Sequence, residues 1–382
     1  MATETCHSFC CSPFVTHSDP PLTKTSDLQN EIHPLFKREH FTDKVLDYSL
    51  IEMPLRLISQ WLTLDAVVRL IVVMAEGELK LDVPWKQPML TDFEKLDELK
   101  FRGEWPNVGR YAKTDQKEVG PKMRERAREL LLQAVGLVRF SINVRPGSDG
   151  LTKASKLKLQ HDSFPRGCKS TVFVGKNIYQ GIERYHPRQG QNPASDARMW
   201  HLLNQYNLAQ QLIHETFHAL ENLFNGIRKS ELFYEDLNLA EAGYAVENAI
   251  FGGTLIGTST LISSRTDEWC TASQQRETSK PAMTLIEWPS GLHKEMYKQM
   301  RLKMGVRKVD RERSTTTSRV PLSAVEAMFT NDFWQFQGEP RTEIQVPVEG
   351  QWFARWNRTK RQIEPWMSVS ERASAPSKLS SF

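Results

Sequence analysis

Apolar residues recur at three- and four-residue steps most regularly between Met199 and Phe224. Leu202, Tyr206, Ala209, Leu212, Ile213, Phe217, Leu220 and Phe224 form one stripe, the pattern of a helix with a core-facing side. The opposite stripe, Asn207, Gln211, His214, His218 and Glu221, is polar and could line a cleft. Asn225-Gly226 ends the pattern as a helix C-terminus does.

Weaker patterns flank this helix. A second helix is predicted from Leu237 to Phe251, stopped at Gly252-Gly253. Pro121 suits a first helical position, and a helix follows to Ala134. In Leu137–Val144, Val138, Phe140, Ile142 and Val144 alternate with polar residues, which predicts a half-buried strand ended by Pro146-Gly147. A polar loop then leads to a second strand, Thr171–Ile178, and a Pro/Gly/Ser/Asn-rich connection over Gly181–Ser195.

Towards the N-terminus, Asp43–Ala75 reads as helical with a break at Pro54, and residues 76–118 as irregular. Towards the C-terminus, residues 254–290 read as loops. Gly291–Met304 reads as a helix, Arg307–Arg319 as a charged linker, and Pro321–Phe329 as a short helix. Residues 1–40 and 368–382 carry no period and are expected to be disordered tails. The expected organisation is α+β: an N-terminal extension over 41–118, a core over 119–255 and a C-terminal extension over 256–367 packed on it.

Composition narrows the classes. With 39% hydrophobic and 25% charged residues the chain has the make-up of a globular protein rather than a disordered or fibrous one. A net charge of +4 is small and spread out, without a lysine-rich face interleaved with aromatics, so nucleic-acid binding is not favoured. The most apolar stretch, Leu55–Ala75, carries Arg56, Asp65 and Arg69 along its length. Each would cost about 2.5–3.5 kcal/mol near a bilayer centre, so a buried helix is expected instead of a membrane span. No apolar run follows a positive flank at the N-terminus, and the expectation is a cytoplasmic protein. Five cysteines are too few for a disulfide framework. Cys6, Cys10 and Cys11 cluster with His7 and His17, which reads as metal binding, lipid attachment or chance within a tail.

The regular helix contains His214-Glu215-Thr216-Phe217-His218. Histidines four apart stand one above the other, so both imidazoles can reach one ion at about 2.0–2.1 Å. Glu215 is turned about 100° from His214 and can lean over an open position, taking a proton from water held there. Twenty-two residues separate His218 from Glu241, the expected third ligand. Glu247 and Glu235 are the alternatives. A carboxylate beyond about 5 Å from both imidazoles could not share their ion. Glu247 lies about 120° round the helix from Glu241, placed to orient a ligand histidine or to sit in solvent. Two histidines, one glutamate and an open position form a catalytic rather than a closed structural zinc (Zn2+) arrangement.

An HExxH helix followed by a glutamate some twenty residues later resembles the gluzincin group of zinc metallopeptidases. The resemblance implies a zincin-like core over 119–255, His214, His218 and Glu241 as zinc ligands, and Glu215 as catalytic base. The segment around Glu241 is similar to the Asn-Glu-Gly-Phe-Ala helix of the aminopeptidase branch, but Ala240 replaces the Asn and Ala242 is inserted before Gly243. Glu241, Gly243, Glu247, Asn248, Phe251, Gly252 and Gly253 also resemble a segment that certain filamentous-fungal proteins pair with an HExxH helix. That resemblance covers about residues 120–255.

Two further roles stay open at this level. Thr171–Val174 could pair with an extended peptide at a sheet edge, or be a core strand. An oxyanion also needs a donor besides a metal, and Tyr244, the first candidate for that catalytic role, competes with Tyr234, His161, His186 and His293. The expected activity is hydrolysis of a peptide or protein substrate. The rival is a zinc-binding interaction module that does not hydrolyse, and an intact Glu215 argues against it.

Overall fold

The computed structural model describes residues 22, 26–44, 46–77, 79–81, 109–111, 118–144, 150–159, 161–165, 167–187, 195–226, 233–234, 241–257, 283–286, 315–336, 339–357 and 362–368. Everything is arranged around one helix, Ser195–Asn225, which is a turn longer at its start than its apolar period suggests. Its apolar stripe is buried, as expected, but so are Asn204, Gln205, Asn207, Gln210, Gln211 and Glu221 on its other sides. The polar stripe is therefore not a cleft wall. Only around His214 and His218 does it open. The helix is enclosed because it packs on a sheet and on the helices Glu52–Trp61, Lys176–Arg184 and Ala242–Phe251.

That sheet has three strands with Cys168–Gly175 in the middle. Val138–Val144 runs parallel to it and Gly150–Lys158 antiparallel. In Val138–Val144, Val138, Phe140 and Ile142 face the core as expected, but Ser141 on the alternate side is buried as well. Of the two readings of Thr171–Val174 the core strand holds: it is in the centre of the sheet, with Val172 and Val174 fully buried. Gly150–Lys158 forms an edge of this sheet and reads as a polar loop because Lys153, Lys156 and Lys158 are spaced along it, as suits an exposed edge. The middle strand also ends at Gly175, and Lys176–Arg184 forms a helix where a connection was expected, burying Ile178 and Ile182.

The apolar stretch near the N-terminus is two helices, Glu52–Trp61 and Asp65–Glu76, meeting at 76°. No single helix among the described residues is long and apolar enough to cross a membrane. The break falls at 62–64 rather than at Pro54, because a proline in the first helical turn removes no intrahelical bond. Trp61 packs edge-on against Tyr206 and Phe251, tying this pair to the central helix.

Residues 26–40, expected to be a tail, are part of the core. Pro34–Phe36 and Arg38–His40 are single 3-10 turns that bury Leu35 and Phe36. Turns this short have no helical period, so the pattern does not reveal them. Phe36 and Phe41 close on Phe140 at 5.4 and 5.2 Å between ring centroids.

The C-terminal part is likewise more ordered than expected. A five-stranded antiparallel sheet runs in the order Gln362–Ser368, Glu349–Asn357, Thr315–Val320, Met283–Ile286, Thr254–Gly257. The end of the supposed linker is a strand, and the expected boundary at 255 falls within another. Leu322–Met328 forms the predicted short helix. Short antiparallel and parallel pairings also join Leu79–Leu81, Gly109–Tyr111 and Phe233–Tyr234. The architecture is α+β. The helix expected over 291–304, the Cys6/Cys10/Cys11 cluster and the tail beyond Ser368 lie outside the described residues.

One half-buried group links this core to pH. His33 caps the first 3-10 turn, its Nδ1 accepting the Leu35 N–H at 3.2 Å, and burial lowers its pKa from 6.5 to about 4. The unfolded chain binds this proton below 6.5 while the folded chain resists it, so stability is full above 6.5 and is lost as pH falls towards about 4. His33→Asn keeps a capping acceptor without a titrating ring. In urea unfolding with chelator present, the stability difference between wild type and variant should shift by roughly 3 kcal/mol between pH 7 and pH 4, against the wild type.

Candidate metal centre

His214 and His218 stand one turn apart on the central helix, ring centroids 5.2 Å apart. Facing them is the start of the Ala242–Phe251 helix. Glu241 is its N-cap rather than a residue within it, with φ −164° and ψ 112°. The predicted helix thus begins five residues later than its sequence suggests. The Glu241 carboxylate provides the physical reason for that start: Oε2 accepts the backbone N–H of Tyr244, a group a helix terminus leaves without a partner. Oε1 turns the other way, 2.8 Å from His218 Nε2 and 3.3 Å from His214 Nε2.

These distances meet the requirement for a shared ion. Donors at about 2.0–2.1 Å from a tetrahedral ion lie about 3.3–3.4 Å from one another. The His214–Glu241 separation already matches, and the His218–Glu241 separation is a hydrogen-bond length that must open by about 0.5 Å. His214, His218 and Glu241 could hold a metal ion, and they are the one such group of three among the described residues.

The ring of His214 is fixed from behind. Its Nδ1 shares a hydrogen bond of 2.8 Å with Glu247 Oε1, which leaves Nε2 facing Glu241. Glu247 Oε2 in turn accepts from Gln210 Nε2 at 2.9 Å. Glu247 is therefore a buried carboxylate behind the histidine, neither a third donor nor a solvated one. Burial pulls the His214 imidazole down, but the carboxylates of Glu241 and Glu247 outweigh it and hold it well above its ordinary value. Burial pushes the Glu241 carboxyl up, and the two imidazoles overcome this and hold it well below the usual carboxylate range. For Glu247 burial prevails and its pKa is raised. Without an ion the group holds protons where the ion would bind, so loading releases them.

Two glycines make the approach of these elements possible. A Cβ on Gly243 would overlap the His214 ring. A Cβ on Gly150 would lie 2.7 Å from Glu215 Oε1. Glu215 stands outside the three-residue group, buried against the edge strand. The Thr152 hydroxyl lies 2.7 Å from its Oε2 and 2.8 Å from its backbone oxygen, and can donate to either.

Tyr244 lies beside the group, its ring 4.9 Å from that of His214 and nearly perpendicular. The other suggested donors are elsewhere. His161 stacks on Phe164, His186 packs against His201, and Tyr234 belongs to the small Leu79–Tyr234 sheet. His293 and Glu235 lie outside the described residues. Thr152, Gly150 and Gln210 went unnoticed in the sequence. Only the small-polar alternation of Gly150–Ala154 could have marked the first two. Compared with known protein families, curated proteins and solved structures, the chain matches none.

The contacts around His214 make two expectations. Gly243→Ala should abolish stoichiometric metal binding, because the added methyl displaces the ring, while Gly120→Ala, which meets nothing within 4 Å, should leave it intact. Glu247→Gln should weaken binding by about 10–100-fold, read by competition with a zinc-sensitive dye.

Proposed function

We propose that this chain is a zinc-dependent hydrolase with a zincin-like core, acting on peptide bonds. The observation that carries the proposal is the pairing of a two-histidine, one-carboxylate donor group with a separate carboxylate, Glu215, on the same helix. Three donors leave a position for substrate or water, and this donor set suits zinc among biological ions. A closed structural site would have no use for Glu215 beside it.

In this reading His214, His218 and Glu241 hold the ion, and Glu247 with Gln210 orients His214. When bound, a divalent ion supplies Lewis acidity, polarising a carbonyl oxygen and lowering the pKa of water. Glu215 takes a proton from water as its oxygen attacks the carbonyl carbon, and returns that proton to the nitrogen as the C–N bond breaks. Thr152 and Gly150 keep its carboxylate turned towards the edge strand. In the same reading Tyr244, whose ring lies 4.9 Å from that of His214, donates its hydroxyl to the developing oxyanion. The Gly150–Lys158 strand is bonded to Cys168–Gly175 on one side only among the described residues, so its other side can pair with an extended peptide beside Glu215.

Glu215→Gln should retain zinc in metal analysis while hydrolysis of a mixed peptide library falls by about 10²–10⁴-fold. Equal turnover in wild type and variant would overturn the proposal. Within the same assay Thr152→Val should lower kcat by roughly tenfold with little change in KM, and Thr152→Ser should restore most of it.

A further inference from the structure

We propose that His186 and His201 form a second, separate site for a borderline transition-metal ion. It stands independently of the hydrolase reading. His201 lies in the first turns of the central helix, thirteen residues and about 20 Å along its axis from His214. His186 follows the last turn of the Lys176–Arg184 helix. The two rings meet with centroids 5.4 Å apart and planes at 86°. The ring pair His214–His218, which shares Glu241, has a similar separation, 5.2 Å, with planes at 64°. The central helix thus contributes a histidine to each of two ring pairs.

The state of the His201 ring distinguishes this from simple stacking. One ring nitrogen bonds the backbone of Ile182, while Nδ1 is buried and has no hydrogen-bond partner. A ring oriented by a backbone carbonyl, with its other nitrogen holding a lone pair, is the arrangement of a metal-ligating histidine. The carbonyl comes from Ile182, itself fully buried, so the ring is held in place by the core and not by its own rotamer. A buried acceptor left without a donor is unfavourable, and an ion shared with His186 supplies the missing partner.

The donor chemistry limits the ion. Imidazole nitrogens suit Zn2+, Ni2+ and Cu2+, whereas Ca2+ and Mg2+ require oxygen ligands. His186 is partly exposed, so solvent can complete the coordination. Two protein donors make this site weaker and more exchangeable than the three-donor group. An ion there links the end of one helix to the start of the next.

The test is titration of the metal-free full-length protein with Zn2+ and Ni2+ by calorimetry. Wild type should bind two ions per chain, the second at least roughly tenfold more weakly. His218→Ala should lose the tighter ion and keep the weaker one. His186→Ala and His201→Gln should each lose the weaker ion and keep the tighter. In His218→Ala protein, Cu2+ should give an electron paramagnetic resonance spectrum with nitrogen hyperfine structure from two imidazoles. His186 lies beyond the end of its helix, whereas His201 is within the central one, so the His186 variant carries the test if the His201 variant does not fold. Binding of a single ion by wild type, or survival of the second ion in His186→Ala, overturns the proposal.

Discussion

Two carboxylates, Glu241 and Glu247, are buried within hydrogen-bonding distance of one imidazole. Taking an unpaired carboxylate out of water costs several kcal/mol, and the loss is offset only if positive charge or hydrogen bonds meet it in the right geometry. Here His214 meets both, with His218 and Gln210 completing the pattern. The position of the Ala242–Phe251 helix against the central helix follows from this. Moving one helix along the other would leave a buried charge without a partner. Apolar packing would tolerate a small shift, since buried methyl groups accept several neighbours. The electrostatic match does not, and it sets the register of the helix pair.

The same requirement explains which residues are small. Glu247 reaches the back of the His214 ring only if the first turn of its helix lies against the front, and there Gly243 leaves the ring its space. Next to this face of the central helix the edge strand comes close enough for Thr152 to reach Glu215, and Gly150 stands where any side chain would meet that carboxylate. Both approaches are between backbone and side chain, so their tolerance is set by a single methyl group. The elements behind them, Cys168–Gly175 and the Glu52–Asp65 helix junction, need only fill volume, and do so with Val172, Val174, Leu57, Ile58 and Trp61.

How much of this the sequence reveals depends on the length scale of each signal. The central helix and its paired histidines are legible because their spacing repeats over many residues. Glu241 can be picked out as a carboxylate at a suitable distance, but its N-cap conformation cannot, since a capping Glu inside an apolar run has the same period as a helical one. The buried amides of the central helix look like a solvated face, because polarity alone does not distinguish an exposed amide from a buried one. The edge strand is hidden by its lysines, and the 3-10 turns holding Leu35 and Phe36 by their brevity. In the five-stranded sheet, Thr315–Val320 opens with three threonines and reads as a polar linker, although Thr317 and Ser318 are buried between paired strands.

Glu241 also shows how a site can be formed before its ion arrives. One carboxylate oxygen caps the helix and the other faces the imidazoles. A freely rotating glutamate would lose about 1–2 kcal/mol of side-chain entropy on being fixed as a ligand. As an N-cap, Glu241 has already been fixed by the folding of its helix, and the cap itself contributes about 1 kcal/mol to that helix. The donor therefore sits within reach of both histidines as a consequence of backbone structure. His214 is fixed in the same way by Glu247. Only His218, held by its place on the central helix and by Glu241, has to adjust when the 2.8 Å contact opens around an ion. A donor group of which two members are set by the fold and one moves slightly could take up an ion with little reorganisation.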